Sequence, residues 1–164
     1  MSEALLVADS GPLIALARLG LLSLPARLFR EALVTATVWD EVSRGPYAAE
    51  LQALDAAVQA GQLRVVSDPT DVPLPVTAAG LDPGERLAIA LALKEGAVVL
   101  VDEKRGRAVA ARLGLHVLGT LGLLVRARDA GIVEKVRPLA EALLRGGYHL
   151  ARPLVEHTLA AIGE

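Results

Sequence analysis

The sequence predicts an α/β fold with a parallel sheet covered on both faces. Three observations carry this. Apolar stretches of strand length alternate along the chain with helix-length segments. Two of those stretches, Leu5-Leu6-Val7-Ala8 and Val98-Val99-Leu100-Val101, contain no polar residue at all, as strands buried on both faces require. The chain is 53% hydrophobic but only 2% aromatic, so Ala, Leu and Val must build the core. At 164 residues it has the length of one domain and can bury about two thirds of its unfolded surface.

The elements follow in order. A strand over 4–9 gives way to a turn at Ser10-Gly11-Pro12 and a helix from about Leu13 to Leu19, closed by Gly20. A short helix, Leu24 to Arg30, leads to the strand Ala32-Leu33-Val34. Thr35 is placed to cap the next helix, which runs through Val38, Trp39, Glu41 and Val42 to the break at Gly45-Pro46. Leu51, Leu54 and Val58, at three- and four-residue spacing, predict an amphipathic helix over 47–60. Leu63 to Val66 reads as a strand. Ser67 to Leu81, with three prolines and little periodicity, reads as a surface loop. Asp82-Pro83-Gly84-Glu85 opens an Ala/Leu-rich helix that ends at Gly96. Strand 97–101, a helix from about Lys104 to Leu113 and strand His116-Val117-Leu118 form a βαβ pair. Helices at 121–130, 134–145 and 153–162 complete the chain.

Several classes of function are disfavoured. There is no cysteine, which excludes disulfides and thiolate metal sites. His116, His149 and His157 have no metal-ligand spacing and read as structural or solvated. The longest uncharged stretch, Leu113 to Val125, contains three glycines and is shorter than the roughly 20 residues of a membrane helix. The start Met1-Ser2-Glu3 has no secretory character, so a cytoplasmic location is expected. A net charge of −2 argues against broad electrostatic capture of nucleic acid. Neither a Gly-rich Lys-Ser/Thr phosphate loop nor a dinucleotide fingerprint is present.

The chemistry-bearing signal is a set of acids. Asp9 and Asp102 end the two apolar runs, and ligands of open parallel sheets bind outside the carboxyl ends of strands. Glu41 and Glu85 lie on or at the start of helices that lean over the same edge. Carboxylates so gathered repel by roughly 4 kcal/mol per close pair at an effective dielectric of 20. A hard divalent cation relieves that repulsion, which points to metal-dependent chemistry on phosphates. Each acid also has a plainer role. Asp9 is a favoured N-cap residue, although Ser10 serves equally well. Asp82 and Glu85 have capping-box spacing, yet Gly84 between them is a poor helix former and suggests that something approaches the backbone closely. Glu41, beside Asp40, reads on its own pattern as a solvated surface charge. Glu103 next to Asp102 is an auxiliary candidate. Arg105 and Arg107 are placed to meet phosphate oxygens or to pair with local acids. Thr120, in the turn Gly119-Thr120-Leu121-Gly122, is a candidate N-cap, substrate contact or both.

The ordered set of motifs resembles the PIN-domain superfamily of metal-dependent ribonucleases, in particular a bacterial and archaeal subgroup. The resembling pieces are Val7-Ala8-Asp9-Ser10-Gly11-Pro12-Leu13-Ile14, Val38-Trp39-Asp40-Glu41-Val42 and Gly84-Glu85-Arg86-Leu87-Ala88-Ile89-Ala90-Leu91-Ala92. Val101-Asp102-Glu103-Lys104-Arg105-Gly106-Arg107, Leu118-Gly119-Thr120-Leu121-Gly122 and the tail around Gly146-Gly147-Tyr148 complete the set. The resemblance implies an α/β/α sandwich with a central parallel sheet, forming one PIN-like domain over 1–164 with a helical extension over about 132–164. It further implies an acidic pocket for one or two Mg²⁺ or Mn²⁺ ions. Asp9, Glu41, Glu85 and Asp102 carry over as catalytic metal-site carboxylates, and Ser10 as a substrate contact. Many relatives are toxins of toxin–antitoxin pairs, dimerise, and are inhibited by a small DNA-binding partner. The expected function is thus endoribonuclease hydrolysis of RNA. A non-catalytic PIN-like protein-binding scaffold and a Mg²⁺-binding phosphoacceptor domain are the alternatives; no lysine stands near Thr120, where a phosphoacceptor domain needs one. The tail after Gly131 is longer than that of the smallest PIN toxins, and Thr35 stands where relatives often have proline.

Overall fold

A computed structural model describes residues 2–164. In chain order the elements are β1 (Leu5–Ala8), α1 (Ser10–Leu19), α2 (Leu24–Leu28), β2 (Glu31–Thr35), α3 (Ala36–Arg44), α4 (Ala48–Gln59) and β3 (Arg64–Val66). They continue with α5 (Leu74–Thr77), α6 (Pro83–Glu95), β4 (Val98–Leu100), α7 (Lys104–Arg112) and β5 (Val117–Leu118). Helices α8 (Thr120–Asp129), α9 (Arg137–Arg145) and α10 (Arg152–Ala161) follow.

The five strands form one parallel sheet in the order β3-β2-β1-β4-β5. Period-two alternation divides the strand side chains between two cores. Leu6, Ala8, Val34 and Leu100 face a core shared with α1, α4, α8, α9 and α10. Leu5, Val7, Leu33, Val99 and Val101 face a second core under α5, α6 and α7. The helices thus cover both faces, the α/β/α sandwich that the sequence leads one to expect. Both helices of the C-terminal segment join the first core, through Val136, Ala140, Val155 and Leu159.

Two departures from the sequence reading have local causes. Helix α1 begins at Ser10, not near Leu13. Pro12 then lies in the first turn, where its missing N–H forfeits no helix bond. The loop over 67–81 contains the single turn α5, whose buried Val76 anchors it to the second core. Thr35 caps α3 as expected, accepting from the Val38 N–H at 3.1 Å. Among the described residues no helix is long and apolar enough to cross a membrane.

The strand order places a topological switch point between β1 and β4. After β1 the chain turns towards β2, and after β4 towards β5 on the opposite side. Helix α1 packs on one face of the sheet and α7 on the other. A crevice must open where the two connections part, at the carboxyl ends of β1 and β4. Asp9 and Asp102 are the acids that follow those ends.

Candidate active site

The crevice has a volume of about 510 Å³, and Asp9, Ser10, Asp82, Glu85, Asp102, Glu103 and Arg105 are among its lining residues. Asp9 is fixed by the sheet itself, since its N–H donates to the Leu100 carbonyl at 3.0 Å and extends the β1–β4 pairing. Its backbone is the N-cap of α1, yet its side chain makes no capping bond. It is 6% exposed, and its Oδ1 has no hydrogen-bond partner. Burial pushes its carboxyl up to about 7. The Ser10 N–H opposes that rise, and the charges of Asp82, Glu41 and Asp102 add to it.

Glu85 is equally buried, at 5% exposure, and its Oε2 is also without a partner. Asp82 caps α6 by accepting from the Glu85 N–H at 2.9 Å, so the helix start is satisfied by Asp82 and the Glu85 carboxylate is left over. That carboxylate reaches across to α7, where a side chain at Gly106 would collide with Oε2. Burial first, then the charges of Asp82 and Asp9, push the Glu85 carboxyl up to about 8.

Glu41 lies on α3. Its carboxylate lies against Gly84, and a methyl group at 84 would clash with both of its oxygens. Glycine at this cost to the helix is therefore explained by the close approach of α3. Burial and Asp82 raise the Glu41 carboxyl, while the Gly84 N–H and the Ser10 hydroxyl oppose the rise. Through Ser10, Gly84 and Asp82, Glu41 adjoins the crevice that Asp9 and Glu85 line.

Asp102 differs from these three because its oxygens are engaged. Oδ1 accepts from the Thr120 N–H at 2.8 Å and Oδ2 from the Thr120 hydroxyl at 2.6 Å. The Tyr148 hydroxyl also donates to Oδ2. Thr120 is the first residue of α8 and is fully buried, with Gly119 at the cap position. It is thus no N-cap and has no surface to offer a substrate; it fixes the Asp102 carboxylate. Tyr148, half-buried, has its hydroxyl driven upward in pKa by burial and by Asp102. Glu103 is exposed at the start of α7. Arg105 donates to the Gly80 carbonyl at 3.3 Å and Arg107 to the Val101 carbonyl at 3.1 Å, so backbone oxygens hold the two arginines.

Tyr148 and His149 also line the crevice, although the sequence reading gave neither a site role: Tyr148 entered only within the resembling tail and His149 as structural or solvated. They sit between α9 and α10, and only the Gly146-Gly147 break beside them marks the spot where the C-terminal segment turns in towards β4.

The donor set is all oxygen, from carboxylates, which suits a hard cation. The two unpartnered buried oxygens, on Asp9 and Glu85, are what a cation would satisfy. As the side chains stand, no three His, Asp or Glu groups among the described residues converge tightly enough to chelate an ion. Asp9, Glu85 and Asp102 line the crevice together, while Glu41 stands outside its lining, beside Gly84.

A parallel α/β/α sandwich with an acidic crevice at its switch point defines the class. The PIN-domain family model DUF3368 matches residues 5–164, and the chain belongs to that family. Among solved structures it is similar to PAE2754 from Pyrobaculum aerophilum, at 19% identity and a TM-score of 0.56, covering 78% of this chain and 90% of that one. It is also similar to the PilT N-terminus domain protein SSO1118 from Sulfolobus solfataricus P2. That match has 17% identity and a TM-score of 0.51, over 75% of this chain and 92% of that one. At such identities the likeness establishes the fold. No curated protein matches the sequence.

Proposed function

We propose that the protein is a divalent-metal-dependent endoribonuclease that hydrolyses RNA phosphodiester bonds. The observation that carries this reading is the pair of buried carboxylate oxygens, Asp9 Oδ1 and Glu85 Oε2, left without partners at one crevice in a PIN-domain chain. An unpaired buried polar atom costs about 1–3 kcal/mol, and more when charged, so two at one site call for a ligand.

Asp9 and Glu85 would hold Mg²⁺ or Mn²⁺, with Asp102 and Glu41 bonded to it directly or through water. When bound, such an ion lowers the pKa of an attacking water and offsets charge developing on the phosphate. Thr120 and Tyr148 keep the Asp102 carboxylate in one orientation, so its position needs no reorganisation during the reaction. Burial raises both carboxyls, to about 8 for Glu85 and about 7 for Asp9, so cation binding near neutral pH would displace protons. In this reading Arg105 and Ser10, which both line the crevice, contact the scissile phosphate. The sequence resemblance extends the reading to a homodimeric cytoplasmic toxin restrained by a small DNA-binding antitoxin.

One observation favours a second reading, a PIN-like scaffold that binds a protein without catalysis: no three His, Asp or Glu groups among the described residues converge tightly enough to chelate an ion. The test separates the two. Protein free of contaminating nuclease is incubated with RNA in Mn²⁺ or Mg²⁺. Cleavage that stops in excess chelator is the expected outcome, and cleavage undiminished by chelator contradicts the metal mechanism. Intact RNA at every metal concentration favours the scaffold.

A further inference from the structure

A second cavity, of about 570 Å³, lies beside the acidic crevice. The two share Asp102, Glu103 and His149 as a common wall. Beyond that wall the character changes. The groove runs between the edge strand β5, the start of α8 and helix α10, and Leu118, Leu121 and Leu154 line it. Lys104 and Arg107 stand on its rim. Arg107 is pinned by the Val101 carbonyl and crosses Gly119 so closely that a Cβ there would lie 2.6 Å from its Nη1. The groove therefore has an apolar floor, a fixed cation and one end open to the site where the phosphate would react.

This shape suits a small flat apolar ligand with an anionic attachment. Leu154, 53% exposed on α10, is one of two large hydrophobic side chains that lie open among the described residues; the other, Leu74, is on α5. A single open leucine inside a concavity is too little apolar surface for a protein interface, which needs about 800 Å² per partner. It is enough for one heterocycle, and pockets of roughly 300–1,000 Å³ are the usual size for small ligands. Unstacked bases of single-stranded RNA bind by lying against apolar side chains or arginine guanidinium groups.

We propose that this groove is a nucleobase subsite, seating the base of a nucleotide whose phosphate lies in the adjoining acidic crevice, with Leu118, Leu121 and Leu154 against the base and Arg107 at the rim. It rests on the reading of the acidic crevice as a phosphodiester site and adds to it a seat for one base turned out of the stack. Duplexed RNA cannot present such a base without unpairing it.

The test uses binding, so it does not depend on turnover. Full-length protein with Mg²⁺ is titrated with adenosine or uridine 5′-monophosphate and, separately, with ribose 5-phosphate, and amide shifts are followed by NMR. The nucleotides should bind at least about tenfold more tightly than ribose 5-phosphate, the scale of one base-stacking contact. Their shifts should centre on Leu118, Leu121 and Leu154. Leu154→Glu, at an open position, should fold with an unchanged melting temperature and lose most of that preference. Equal affinity for nucleotide and sugar phosphate overturns the proposal, as do shifts confined to Asp9 and Glu85, or a preference that survives Leu154→Glu. Self-association abolished by Leu154→Glu, with no nucleotide preference, overturns it in favour of a second copy of the chain. Base-dependent binding in a protein that cleaves no RNA would sink the nuclease reading and leave the subsite standing; RNA cleavage without base preference would do the reverse.

Discussion

Glu85 shows how one side chain can satisfy a helix rule and still be available for chemistry. Its N–H is bonded to Asp82, while its carboxylate is buried, unpartnered and raised to about 8. A cap and a ligand predict different outcomes for Glu85→Gln. Glutamine also serves at the third position of a capping box, so a capping role predicts near-normal function. The ligand role predicts loss of RNA cleavage by at least about a hundredfold, the worth of roughly 2.7 kcal/mol of transition-state stabilisation. The metal-free melting temperature should meanwhile hold steady near neutral pH, where the Glu85 carboxyl is already uncharged, and rise above about pH 8, where glutamine removes a buried charge with no partner. Cleavage kinetics and thermal unfolding of the same variant decide the matter; cleavage at the normal rate would remove Glu85 from the site.

At the scale of elements, much was legible because the signals are local. The two apolar runs and the acids closing them locate β1 and β4, and the strand-end rule then brings Asp9 and Asp102 to one crevice. Gly84 was legible as a close approach, although only the fold reveals Glu41 as the neighbour. Thr120 was visible as a hydroxyl at a strand-to-helix turn, but its bonds to Asp102 span 18 residues and no sequence period encodes them. Tyr148 is further still, 46 residues from Asp102, on a segment whose own pattern speaks only of a break between helices. That contact yields a prediction for the α9–α10 connection. Tyr148→Phe keeps the ring but removes the donor, at a cost of about 0.5–1.5 kcal/mol of stability. If Tyr148 positions Asp102, cleavage should fall about tenfold with KM little changed, since the loss is felt by a group acting in the transition state. A stability loss with unaltered kcat would make the contact purely structural.

On the scale of the whole molecule, the acids at the switch point couple folding to both protons and metal. Asp9 and Glu85 bind protons more tightly in the folded protein than in the unfolded chain, with folded values of about 7 and 8. Between the ordinary carboxylate range and those values the folded state holds protons that the unfolded chain has released. The stability they contribute is complete below about pH 4 and is lost as pH rises through 7 and 8, by up to about 1.4 kcal/mol per pH unit for each group. A cation at the same oxygens replaces the protons, and at a hundredfold excess over its Kd it adds about 2.7 kcal/mol. The most direct measurement of the central claim is therefore thermal unfolding of the full chain from pH 5 to 8, metal-free and in saturating Mn²⁺. The metal-free melting temperature should fall across that range, and Mn²⁺ should raise it far more at pH 8 than at pH 5, with the gain shrinking in Asp9→Asn. A flat metal-free profile with no Mn²⁺ effect at any pH, or an equal Mn²⁺ effect in Asp9→Asn, would contradict a cation held by the carboxylates of this crevice.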